Sequence, residues 1–281
     1  MTDILKANNG DLQPDIAGLE SLMKELDNNV PSDRHERELL SRVFSCIDNT
    51  SLNSTDSDES IDAFCRHTLS MLPLSVASIC VFPLHVAAAV AAVEGSGIKV
   101  AAVAGGFPAG QIPARLKDDE VRYVIDHGAD EVDFVIDRGA FLQGDRQKVF
   151  DEVASAKAIC GTKTLKVIIE SGELSTWQNI YDASTIALQA GADFIKTSTG
   201  KIPVGATVES VYVMLTALRD FCKKNKKCAG FKAAGGISST EDALRYYRMA
   251  QFVLDNENIN NQIFRIGTSR LTNVIYDVLT K

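Results

Sequence analysis

Short apolar runs recur along this chain with helical segments between them, and that rhythm leaves few folds open. The runs are RVFSCID at 42–48, SICVF at 78–82, KVAAVAG at 99–105, EVDFVID at 131–137, LKVIIE at 165–170, DFIKTST at 193–199, AGFKAAG at 229–235 and FRIG at 264–267. Their starts lie mostly about 30–35 residues apart, the length of one strand–helix unit. Residues 57–70, 115–127, 145–160, 176–190, 207–225, 240–253 and 269–280 fill the gaps with apolar residues at helical spacing. GADEVDFV at 128–135 and GADFIKTS at 191–198 enter two strands by the same phrase, a weak repeat of the unit.

Eight strands alternating with helices close as a parallel barrel of about 250 residues or spread as an open doubly wound sheet. No G-x-G-x-x-G follows an early strand, and late strands end in small or polar residues, as in KTSTG, KAAGG and RIGTS. Barrel enzymes gather their chemistry at that end of the strands. The pattern therefore predicts an α/β fold, a (β/α)8 TIM barrel over residues 41–281 with an N-terminal helical extension over 1–40. Within the extension, 14–27 reads as one amphipathic helix and 28–31 as a linker.

Composition narrows the partners. A net charge of −8 argues against broad nucleic-acid binding, yet a phosphorylated small molecule needs only local positive groups. No apolar run approaches the roughly 20 residues of a membrane span, and the start, MTDILKANNGDLQPD, lacks a signal-peptide pattern. The six cysteines form no C-x-x-C pair, which suits a reducing, cytoplasmic setting. The four histidines lack ligand spacing, so no metal is expected.

Alternation along the strands puts charge where a barrel interior should be apolar. Lys196 shares a face with Phe194 and Ser198, and Lys232 with Gly230 and Ala234. Lys166 shares a face with Ile168 and Glu170, and Asp133 with Glu131, Val135 and Asp137. A closed barrel would turn Lys166, Lys196, Lys232 and Asp133 inward. Burial and a neighbouring ammonium both lower a lysine's pKa, and a lysine brought toward 7 forms a Schiff base with a carbonyl. Lys196 and Lys232 on adjacent strands suit that chemistry, and the pattern leaves open which is the nucleophile. It also admits a plainer role, with Lys196 paired to Asp133 or Glu170 and Lys232 holding phosphate.

Glycine-rich turns follow three late strands. They supply Gly200 and Lys201, then Gly235 and Gly236, then Gly267, Thr268 and Ser269. Barrel enzymes often seat a phosphate in the loops after the seventh and eighth strands, where helix N-termini favour an anion. GGFPAG at 105–110 reads as loop geometry instead. After the first strand, Asp48, Thr50 and Asn53 are placed to line the mouth or to form an Asx or Ser/Thr turn.

DNTSLN at 48–53, GADEVDFVI at 128–136, LKVIIESGEL at 165–174, GADFIKTSTGK at 191–201, GFKAAGG at 230–236 and FRIGTS at 264–269 together carry a resemblance. Over about residues 40–280 the chain resembles the deoxyribose-phosphate aldolase family. The resemblance implies a class I aldolase that needs no cofactor or metal. It implies reversible cleavage of 2-deoxy-D-ribose 5-phosphate to D-glyceraldehyde 3-phosphate and acetaldehyde. Lys196 would be the Schiff-base lysine, Lys232 the lysine that lowers its pKa, and Asp133 part of the proton relay. Lys166 would be a polar partner in the pocket, Asp48 and Thr50 would line the substrate end, and Cys80 would lie nearby without acting as nucleophile. The expected partner is a small sugar phosphate, and the resemblance allows a homodimer.

Two departures stand out. Familiar bacterial members often place a basic residue soon after GG, where this chain has Ser238, so Lys201, backbone amides and Arg270 would carry the phosphate. Many members also end in a flexible tail with a terminal tyrosine. This sequence stops at Lys281, and Tyr276 lies within the last expected helix, which predicts a lower rate. Two rival readings share the glycine turns: another phosphate-binding barrel isomerase or lyase, and a non-catalytic sugar-phosphate binding protein. Neither needs both lysines in one pocket.

Overall fold

The computed structural model describes residues 5–8, 11–28, 33–225 and 228–281. Eight parallel strands form a closed barrel: β3 (Ile47–Thr50), β4 (Ser78–Val81), β5 (Lys99–Ala104), β6 (Glu131–Val135), β7 (Thr164–Ile168), β8 (Phe194–Lys196), β9 (Gly230–Ala234) and β10 (Phe264–Thr268). They follow in chain order, and β10 closes on β3. Register sets the interior: Asp133 stands beside Lys166, Lys196 beside Lys232, and Lys232 beside Arg265.

Outward-facing residues between these charges are apolar. Val132, Phe134, Val167, Ile195, Phe231, Phe264 and Ile266 are wholly buried under the helices. Those helices are α3 (Asp58–Leu69), α4 (Val86–Val93), α5 (Ala114–Asp126), α6 (Arg138–Leu142), α7 (Arg146–Cys160), α8 (Trp177–Gln189), α9 (Val208–Asn225), α10 (Thr240–Leu254) and α11 (Leu271–Thr280). Side-chain caps fix several entry points. Ser57 forms a capping box on α3, and Asp145, Thr176 and Ser239 accept from the first turns of α7, α8 and α10. Each such cap contributes roughly 1 kcal/mol.

Ahead of the barrel lie an antiparallel hairpin, β1 (Leu5–Asn8) with β2 (Asp11–Pro14), and two helices, α1 (Ile16–Asn28) and α2 (Asp33–Phe44). Leu19, Leu22 and Met23 bury the apolar stripe of α1, which packs on α10. Helix α2 packs on α10 and α11, and Arg37 donates to the Leu279 carbonyl at 3.0 Å.

Several expectations need correction. The run at 42–48 is not one strand: Leu39, Leu40, Val43 and Phe44 form the buried stripe of α2, and the strand starts at Ile47. Helix α2 runs through residue 40. The extension also contains a hairpin. Helix α4, VAAAVAAV, fills the short step between β4 and β5. Residue 28 of the expected linker ends α1, and 29–31 lie outside the described residues.

Candidate active site

Asp133 sits at the centre of the barrel with no exposed surface. One carboxylate oxygen accepts from Lys166 at 2.9 Å, and the other accepts from both Lys196 and Lys232 at 2.7 Å. The inward pattern of β6, β7, β8 and β9 thus brings together the four residues expected to meet. Lys232 also reaches Asp48 at 2.5 Å, and Lys166 reaches Glu131 at 2.5 Å and Asp48 at 3.3 Å. Beneath them, Arg265 holds Asp48 at 2.6 Å and both oxygens of Glu131, at 2.8 and 3.0 Å.

Burial and charge pull the lysines apart. Burial is the largest influence on Lys196 and lowers its pKa; Asp133 opposes this and Lys232 adds to it, leaving the group below the ordinary lysine value. Burial acts the same way on Lys232, but Asp133 and Asp48 outweigh it and hold that ammonium above the ordinary value. Lys166 is likewise held up, by Asp133, Asp48 and Glu131 against its burial. Burial opposes ionisation of Asp133 and Asp48, yet the surrounding cations hold both carboxyls well below the usual range. Cys80 is buried, its sulfur 4.0 Å from Asp133, and burial pushes its thiol up to about 11. It is poorly placed to act as a thiolate.

Above this layer opens a cavity of about 310 Å³. Thr50, Asn53, Lys196, Gly200, Lys201, Gly235, Gly236, Ser238, Gly267, Thr268, Ser269 and Arg270 are on its walls. The three glycine turns therefore converge on one mouth, beside the start of α11 and the cap of α10. Lys201 donates to the Leu52 carbonyl and lies 6.0 Å from the Phe82 ring centre. Gly235 has φ +88°, and a Cβ there would stand 2.8 Å from the Gly205 Cα. At Gly267 a Cβ would meet the Lys232 Cε at 2.9 Å, so this glycine makes room for a lysine as well as bordering the cavity.

The structure places some expected residues elsewhere. Asp48 lies beneath the lysines and not on the mouth, whereas Thr50 lines the cavity and donates to the Asp48 carbonyl at 2.8 Å. Alternation fails where strands end. Asp137, two residues beyond β6, caps α6 and binds Lys148 at 2.6 Å. Glu170, two residues beyond β7, takes φ +53° and accepts from the Thr199 amide at 3.2 Å and its hydroxyl at 2.5 Å, away from Lys196. The glycines of GGFPAG shape a loop pressed against the end of β6: a Cβ on Gly110 would stand 2.2 Å from the Ile136 carbonyl oxygen. Among the described residues, no group of three or more His, Cys, Asp or Glu side chains is arranged to hold a metal ion, and no helix is long and apolar enough to cross a membrane.

Sequence reasoning passed over Arg265 and made no use of Glu131. A signal was present, since Arg265 shares parity with Gly267 on β10 and so faces inward.

Comparison with known proteins adds an independent line. A deoxyribose-phosphate aldolase of Homo sapiens is 39% identical over 247 residues, covering 83% of this chain and 78% of the relative. That of Bos taurus matches equally, 39% over 247 residues with the same shares. The solved tetrameric deoxyribose phosphate aldolase of Aeropyrum pernix superposes with a TM-score of 0.69 at 25% identity, covering 89% of this chain and 99% of that one. A family profile described as DeoC/LacD family aldolase matches residues 44–258. With that match spanning most of the barrel and both lysines, the chain belongs to the DeoC/LacD aldolase family.

Proposed function

We propose that this enzyme reversibly cleaves 2-deoxy-D-ribose 5-phosphate to D-glyceraldehyde 3-phosphate and acetaldehyde through an imine on Lys196. One observation carries the assignment of the nucleophile: Lys196 is the member of the buried cluster that lines the cavity, and it shares its carboxylate oxygen with a second ammonium 2.7 Å from that oxygen. An amine so placed gives up its proton more readily than a free lysine. The human relative's name points to the same substrate.

The uncharged Lys196 nitrogen attacks C1 of the open-chain sugar, and the carbinolamine loses water to give an iminium. Asp133, through a water, takes the proton of the C3 hydroxyl. The C2–C3 bonding pair moves to C2, forming an enamine as glyceraldehyde 3-phosphate leaves. C2 is protonated, and hydrolysis frees acetaldehyde and the lysine. Lys232 stabilises negative charge developing at the hydroxyl oxygens. Lys201, Arg270 and the amides around Gly235, Gly236 and Gly267 receive the phosphate, so remote binding orients the reacting carbons.

Residues 41–281 form the catalytic unit on this reading, and 1–40 the extension. All six cysteines are free thiols, which supports a reducing, cytoplasmic setting.

Intact mass after adding deoxyribose 5-phosphate and borohydride tests the reading. A reduced adduct is expected on the parent and not on Lys196→Ala. No adduct on a folded, phosphate-binding parent would sink it in favour of an isomerase or a binding protein.

A further inference from the structure

The charged layer extends below the lysines to two groups outside the cavity, Arg265 and Glu131, and its stoichiometry is uneven. Its cations are Lys166, Lys196, Lys232 and Arg265; its anions are Asp48, Glu131 and Asp133. All are buried, their side chains at most 7% exposed. Four positive charges thus face three negative ones, and burial limits how far water can screen the excess. The guanidinium cannot release a proton. Lys166 touches three carboxylates and Lys232 touches two, whereas Lys196 touches one and shares that oxygen. The surplus proton leaves at least cost from Lys196.

We propose that Arg265 and Glu131 set this balance from the barrel floor, acting through Asp48 and Lys166 as positioning residues for the Schiff-base lysine. The proposal rests on the reading that Lys196 forms the imine. Arg265 occupies one oxygen of Asp48 and both of Glu131. It also donates to the Asn261 carbonyl and lies 5.5 Å from the Phe194 ring centre. Two carboxylates are thereby partly spent on a permanent cation, and Lys166 and Lys232 draw on Asp133 for the remainder. The groups facing Lys196 are Asp133 from β6, Lys232 from β9 and Cys80 from β4. None is a spare anion.

Opposite signs follow for the two floor residues. Without the Arg265 charge, three cations meet three anions and Lys196 keeps its proton to higher pH. Without the Glu131 charge, four meet two and Lys196 loses its proton at lower pH. Removing both restores an excess of one. A merely structural role would weaken catalysis in both single variants without this reversal.

The test is the pH dependence of kcat/KM, and of borohydride trapping at Lys196, in the parent, Arg265→Met, Glu131→Gln and the double variant. The acid limb is expected to rise by about half a pH unit or more in Arg265→Met, to fall by a similar amount in Glu131→Gln, and to return in the double variant. Singles that move together, or limbs that stay in place while kcat falls, would overturn the proposal. If Arg265→Met does not fold, Glu131→Gln and Arg265→Lys decide: a lowered limb in the first and an unmoved one in the second support the balance, and any other pair refutes it. Absence of a parent adduct at Lys196 would instead refute the aldolase reading.

Discussion

The two layers of the barrel interior solve the same problem, holding charge inside a protein, by opposite means. The lower layer uses side chains: seven ionisable groups, nearly all their surface buried, each carboxylate oxygen within reach of a cation. The mouth uses glycine turns, a helix start and a few polar groups around an open cavity. Buried ions are costly, and removing one partner leaves the others uncompensated. A rim of amides gives up little when a neighbour is lost. The lower layer should therefore respond to substitution as a unit, and the mouth residue by residue.

The sharpest way to break that contrast is Asp133→Ala. It leaves three ammoniums around a void, so folding should lose about 3–5 kcal/mol, read by denaturant melts, and aldol cleavage should disappear. A variant that folds like the parent and retains turnover would show the layer is not a unit. Next in size is Gly235→Ala at the mouth. The positive φ and the contact with Gly205 should cost about 1–3 kcal/mol, with KM for the sugar phosphate rising as the turn distorts. Unchanged kinetics and stability would mean the backbone there yields freely.

Lys201→Ala sharpens the comparison from the other side. Stability should stay within about 0.5 kcal/mol, while KM for deoxyribose 5-phosphate rises about tenfold, the equivalent of 1.4 kcal/mol of binding. Turnover of unphosphorylated deoxyribose should change little, and an equal loss on both sugars would contradict a phosphate role. The smallest effect concerns acid. Asp48 and Asp133 have folded pKa values below their unfolded ones, so their contribution to stability is complete above about pH 4 and is lost as pH falls through the folded values. Melting temperature should thus hold between pH 7 and 5 on their account and drop below pH 4. Asp48→Asn should flatten that drop; an equally steep fall would assign acid sensitivity elsewhere.

The lower layer was legible in the sequence wherever a strand is long enough for alternation to hold. Alternation alone turns Lys166, Lys196, Lys232 and Asp133 to the inward side. It fails for Glu170 and Asp137, because each lies two residues past the end of its strand, where backbone geometry no longer alternates. Arg265 was hidden by company: in FRIGTS the glycine and hydroxyl residues announce an anion site and draw attention from the arginine. Helices α2 and α4 escaped for a different reason. RVF closes α2 with an apolar cluster that also reads as a strand, and VAAAVAAV is apolar all round, so it shows no stripe to mark its period. The mouth was legible as composition, but its convergence depended on barrel closure, which no single turn reveals.

The missing side chain at Gly267 has a consequence for anyone wishing to widen the range of aldehydes this barrel accepts. Recasting the rim for an uncharged substrate would naturally begin among its small residues. At this position an added methyl group would collide first with Lys232 and push its ammonium off Asp133. Substrate scope and proton transfer are mechanically linked there through one van der Waals contact. Remodelling directed at the neighbouring Ser238 or Ser269 avoids that link.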